Sequence, residues 1–125
     1  GAAAKEEEKA KPKEIEGLAE ITFDDFAKVE LRVAEITECE PIKKAKKLLK
    51  IMVNDGTAEP RQIVSGIAPW YKPEDLVGKK VIIVANLKPA KLCGEMSNGM
   101  LLAGDVSDDD VKVVFVDMPA GTKIR

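Results

Sequence analysis

A chain of 125 residues suits one domain with a real core, burying roughly two-thirds of the surface its unfolded form exposes. It has no histidine and only two cysteines, Cys39 and Cys93, which excludes histidine acid–base chemistry, Ser-His triads, a zinc site and a disulfide framework; the cysteines read as reduced thiols of a cytosolic protein. The net charge of −2 conceals a split, because residues 41–94 carry eleven cations against four anions while 21–40 and 95–125 are both acidic. A basic middle of this kind suits a polyanion partner, despite a sequence pI near 5.3.

No stretch approaches the length of a membrane span, and no signal peptide is visible. Residues 1–20 are rich in Ala, Lys and Glu. Glu6 and Lys9, and Glu7 and Lys11, stand at helical spacings, but Pro12 interrupts them and no apolar face forms. The segment reads as a flexible charged linker or a cloning remnant, with the domain proper over 21–125. Thr22 can then cap a short helix that carries Asp24 and Asp25 in its first turn, with Phe23 and Phe26 packing it onto the body.

Val29, Leu31 and Val33 alternate with Glu30 and Arg32, which predicts a half-buried strand. Ile36 falls on the opposite parity, so a β-bulge is expected near Ala34. Pro41 to Lys47 reads as a turn loaded with Lys43, Lys44, Lys46 and Lys47, either a solubilising loop or one that faces phosphate. Leu49, Ile51 and Val53 mark a second strand, Asn54-Asp55-Gly56 a turn, and Arg61 to Ile67 a third strand, with Gly66 suggesting a bulge or a close backbone approach. Pro69 to Leu76 reads as a short helix or turn across one end of a barrel. Trp70 and Tyr71 either stack a base or plug the barrel mouth.

Val81 to Ala85 is a short β-branched apolar run, expected as a central strand buried on both faces. Asn86, Lys88 and Lys91 follow at once, and Pro89 prevents a regular central strand there. A turn at Ser97-Asn98-Gly99, in which Gly99 supplies a positive φ, leads to the apolar run Met100 to Ala103. Hydrogen-bonding side chains thus sit at the end of a rigid strand, a way to build a preorganised polar site. Asp105 to Asp110 is an acidic loop without the spacing of an EF-hand. Val111, Val113 and Phe115 mark the last strand, with Val114 and Val116 on a second apolar face that needs cover. The order strand–strand–strand–helix–strand–strand is that of an OB-fold: an all-β, five-stranded barrel with one short connecting helix and a C-terminal extension.

Thr22 to Val33, Arg61 to Ile67, Val84-Ala85-Asn86-Leu87-Lys88-Pro89-Ala90-Lys91-Leu92 and Gly94-Glu95-Met96-Ser97-Asn98-Gly99-Met100 resemble, in order and spacing, the tRNA-binding OB domain appended to bacterial methionyl-tRNA synthetases. The same domain occurs free-standing, in a synthetase-associated cytokine precursor and in a small export chaperone. The resemblance covers residues 21–125. Cys93 and Ala103-Gly104 depart from the usual pattern without touching these blocks. It implies a non-catalytic domain that grips tRNA by shape and backbone, a homodimer, and a synthetase catalytic body in the parent chain, without cofactor, metal or membrane and in the cytoplasm.

The tRNA-contact region it implies maps onto Arg32, Asn86, Lys88, Ser97 and Met100. Lys50, Arg61 and Lys91 join them as cations for phosphate neutralisation. Each residue keeps a plain alternative: a cross-strand carboxylate partner for Arg32, a satisfied strand end for Asn86, a core position for Met100. Ser97 has no histidine beside it, and a Ser–Lys hydrolase built on Lys91 is the remote alternative. The competing function is a peptide-binding, chaperone-like module, motivated by the Met100–Ala103 run and the two-faced last strand. A purely structural dimerisation role is compatible with the first reading.

Overall fold

The computed structural model describes residues 17–125; the expectations placed on residues 1–16 lie outside the described residues. Thr22 caps the short helix α1, Phe23–Ala27, reciprocally: its hydroxyl accepts from the Asp25 N–H, and the Asp25 carboxylate accepts from the Thr22 N–H. The fold is built from short antiparallel strands. β1 (Leu31–Ile42), β2 (Ala45–Asn54) and β3 (Arg61–Ser65) form a meander. A second short helix, α2 (Pro73–Leu76), leads into β4 (Lys80–Val84), which pairs with the free edge of β1.

β5 (Ala90–Leu92) and β6 (Glu95–Ser97) make a small hairpin, and β7 (Met100–Leu101) pairs with β4. The main sheet runs β3-β2-β1-β4-β7. The Asn98 N–H donates to the Gln62 carbonyl at 2.8 Å, and the Val64 N–H donates to the Ser97 hydroxyl at 2.9 Å. These bonds bring the β6–β7 turn onto β3 and curl the sheet into an OB-like barrel. β8 (Ala103–Ser107) and β9 (Asp110–Val113) form an exposed hairpin, and β10 (Lys123–Ile124) lies along the first residues of β1.

The core is the barrel interior, filled by Ile36, Leu49, Ile51, Val53, Ile63, Leu76, Val81 and Ile83, all essentially inaccessible. Period-2 alternation on β2 puts Leu49, Ile51 and Val53 on this face, as the sequence pattern predicts. Leu76, from α2, closes one end. Tyr71 packs on the core with its hydroxyl accepting from the Val113 N–H, whereas Trp70 stays exposed and donates its indole N–H to the Asp109 carbonyl.

Several local expectations are corrected. The register of β1 against β2 shifts between Ile36 and Glu38, and again between Pro41 and Ile42, rather than near Ala34. Val33 and Ala34 are adjacent on the strand and both fully buried. Ala34 faces the barrel, while Val33 lies outside the core cluster and is bonded to the C-terminal segment, its N–H to the Thr122 carbonyl and its carbonyl to the Gly121 N–H. Val29 lies outside the strand and is 38% exposed. β4 is not buried on both faces: Val81 and Ile83 face the core, while Ile82 and Val84 are half-buried. Gly66 has no positive φ and no crowded neighbour, so it marks no close approach. The strand expected over Val111 to Phe115, β9, ends at Val113. Phe115 forms an isolated bridge with Val81, sits edge-on to Tyr71 beneath the Lys79 ammonium, and is 40% exposed.

Candidate nucleic-acid interface

The start of β1, the end of β2, the start of β3 and the end of β4 meet at one corner of the barrel, where antiparallel pairing places them. The Asn-Asp-Gly turn after β2 buries Asp55, whose Oδ1 accepts from the Thr57 N–H and hydroxyl while Oδ2 accepts from Arg61 Nε at 2.8 Å. Burial alone raises the Asp55 carboxyl, but the Thr57 and Arg61 bonds outweigh it and hold it below the ordinary carboxylate range. Arg61 Nη1 donates to the Ala85 carbonyl at 3.0 Å and the Asn98 carbonyl at 2.7 Å. One guanidinium therefore ties together the β2–β3 loop, the end of β4 and the β6–β7 turn. Its Nη2 makes no hydrogen bond among the described residues.

The C-terminal segment completes the corner. Gly56 and Gly121 both have positive φ and meet face to face; a Cβ on Gly56 would lie 2.7 Å from the Gly121 Cα. Arg32 Nε donates to Glu30, and Arg32 Nη1 donates to the Gly121 carbonyl at 3.1 Å. Lys123 reaches the other Glu30 oxygen at 3.0 Å. The hydrogen bonds from Lys123 and Arg32 lower the Glu30 carboxyl below its usual range. Asn86 accepts from the Glu30 N–H at 2.9 Å and donates to the Lys28 carbonyl at 2.7 Å, bracing the entry to β1.

Arg32, Arg61 and Asn86 line one groove of about 390 Å³, together with Glu30, Asp55 and Thr57. Lys88 lies two residues beyond Asn86 and Lys91 on β5; both are exposed, and neither makes an ion pair among the described residues. Met100, 45% exposed, is opposite Val84 at the same end of β4. The corner thus holds two fixed guanidinium groups in a groove, and the chain leaving it at Asn86 carries two exposed lysines.

Two residues singled out in the sequence are not part of this grouping. Ser97 is buried, and its hydroxyl accepts from the Val64 N–H and donates to the Gly99 carbonyl at 2.9 Å, so it seals the barrel seam. Lys50 stands on the outer face of the sheet, 3.5 Å from Glu40 and 3.8 Å from Glu95. Asp55, Thr57, Glu30, Gly121 and Lys123 belong to the corner although sequence reasoning did not single them out as site residues. The signals for them were structural ones: the Asn-Asp-Gly turn, the Pro119–Gly121 turn and the outward position of Glu30 on the alternating strand. Among the described residues, no group of three or more Cys, Asp or Glu side chains converges as metal ligands would, and no helix is long and apolar enough to cross a membrane.

Residues 31–123 match the family model described as "Putative tRNA binding domain". The chain belongs to this tRNA-binding domain family. Over 99% of its length it is 56% identical to methionine–tRNA ligase of Bacillus subtilis, and over 98% it is 59% identical to methionine–tRNA ligase 1 of Bacillus cereus. It spans only 19% and 18% of those proteins. What matches is a binding domain, which is non-catalytic. Among solved structures, a MetRS-related protein from Pyrococcus horikoshii superposes with a TM-score of 0.81 at 39% identity, covering 86% of this chain and all of that one. The chaperone CsaA from Bacillus anthracis superposes at 0.77 with 28% identity, over 86% of this chain and all of that one.

Proposed function

We propose that this domain holds tRNA for a methionine–tRNA ligase catalytic body, gripping shape and phosphate backbone through the corner built on Arg32, Arg61, Asn86, Lys88 and Lys91. The observation that carries the reading is the placement of two braced guanidinium groups in one groove with Asn86, from which the chain runs on to the exposed Lys88 and Lys91. Phosphate contacts position a partner without reading bases. The domain adds affinity by raising the effective concentration of tRNA near a catalytic site elsewhere in the parent chain. The setting is the cytoplasm.

The assembly is a homodimer in this reading. Support comes from apolar side chains left in solvent on and beside α1, Phe23 at 78% exposure and Phe26 at 37%, next to Ile124. The test is titration with folded tRNA at rising salt. Two or three phosphates neutralised at the corner contribute about −2 to −3 to the slope with which log K falls against log salt. A flat dependence overturns the proposal. The likeness to CsaA supports a second reading, a surface that takes extended apolar peptides. Peptide binding that ignores saturating tRNA would favour it.

A further inference from the structure

We propose that the β1–β2 hairpin tip is a second RNA contact, so that the domain clamps a folded RNA at two points with an acidic belt between them. The inference rests on the tRNA reading above and adds where the RNA must touch and how long it must be.

Lys43 and Lys44 form the turn between β1 and β2, and Lys46 and Lys47 begin β2. All four are exposed, and none makes an ion pair among the described residues. The tip is not a loose loop. Ile42 pairs with Ala45, and the Lys47 carbonyl accepts from the Ala68 N–H at 3.2 Å, which pins the hairpin to the segment after β3. Four cations in five residues, held on a braced hairpin without a compensating carboxylate, form a preorganised electropositive end.

That end is opposite the Arg32 corner. From Arg32 to Ile42 is ten residues of strand, about 33 Å along β1 and less in a straight line where the bulges bend it. The distance exceeds the Debye length of about 8 Å at physiological salt, so the two basic ends act as separate contacts. Between them the outer face of the sheet carries Glu38 and Glu40 on β1, with Glu95 of β6 beside them. Lys50, which lies among them, is already shared by Glu40 and Glu95. A phosphate backbone laid flat along the strands would meet that belt. An RNA that touches both ends must therefore be stiff and span on the order of one helical turn, which a folded RNA arm provides and a short fragment does not.

The experiment compares the whole chain with K43A/K44A/K46A/K47A and with K88A/K91A. Two ligands are used: folded tRNA, and an RNA hairpin of about six base pairs, shorter than the span between the ends. Expected for the tip variant is a salt slope for tRNA reduced by about 2 to 4 and at least a tenfold loss of affinity, with binding of the short hairpin within twofold of the unmodified chain. The K43R/K44R/K46R/K47R variant, which keeps the charges, should bind tRNA as the unmodified chain does. If the tip variant keeps the full tRNA slope while K88A/K91A loses affinity, the second contact is overturned and the corner stands. If it weakens both RNAs equally, the tip acts as diffuse charge and the two-point clamp is overturned. If the unmodified chain binds no tRNA, both proposals fall together.

Discussion

Replacing Arg61 by alanine should cost stability before it costs anything else. In the structure its side chain is 25% exposed and the Asp55 side chain beneath it 3%. The change removes the ion pair and the bonds to the Ala85 and Asn98 carbonyls, and leaves a buried carboxylate with only Thr57 for company. Breaking a buried pair from one side costs about 3–5 kcal/mol, and partial exposure of the guanidinium sets the expectation near 3 kcal/mol. For a domain of this size that lowers the melting temperature by roughly 12–20 °C. The cost is pH-dependent. Asp55 titrates below its ordinary value of 3.8 in the folded state, so the pair contributes fully above that value and is lost as pH falls through the lowered one. Urea denaturation of both proteins should show the largest gap near neutral pH and a narrowing gap below about pH 4. The D55N/R61A double variant, with no buried charge left unpaired, should be more stable than R61A alone. A loss under about 1 kcal/mol, or a gap unchanged from pH 7 to 3, would refute a structural role for this pair.

Ser97→Ala should destabilise by about 1–3 kcal/mol, because the Val64 N–H loses its buried acceptor, while tRNA affinity at a temperature where the variant is folded stays within twofold; denaturation and binding curves together check this. Gly99→Ala places a Cβ 2.7 Å from the Val84 carbonyl oxygen at a φ of +135°, so a marked loss of thermal stability is expected by calorimetry, larger than for Gly66→Ala, where nothing lies closer than 3.9 Å. Thiol labelling of the folded domain should modify Cys93 first. Burial, with help from the Glu40 carboxylate, pushes the half-buried Cys39 thiol up to about 11, and comparable labelling rates at pH 8 would contradict that.

Much of the barrel was legible because its signals are local. Leu49, Ile51 and Val53 alternate, Asn54-Asp55-Gly56 turns the chain, and Thr22 with Asp25 forms a cap that three residues suffice to specify. What was misread depends on remote partners. Val33 and Ala34 are adjacent and both buried, and Val33 is also bonded through its backbone to residues 121–122, so alternation could not locate the bulge. Phe115 lies outside the core cluster because pairing with β8 ends at Val113, before it, and it is held by a bridge to Val81 and an edge-on contact with Tyr71. At the site, the residue types at the end of β4 pointed to the corner, but not to how its groups are used. Ser97 and Arg61 look alike in sequence as polar candidates. Folding seals the first within the seam and spreads the second across three backbone segments. Lys50 likewise reads as one more cation until pairing sets Glu40 opposite it and the β5–β6 hairpin brings up Glu95.

The most direct measurement is a map of backbone amide chemical shifts as folded tRNA is added to the isotopically labelled domain. The account predicts salt-sensitive shifts at Arg32, Asn86 to Lys91 and the Lys43–Lys47 turn, with Glu38 and Glu40 unmoved between them. Shifts confined to the strand face of Glu38 and Glu40, or to the β8–β9 hairpin, would contradict it.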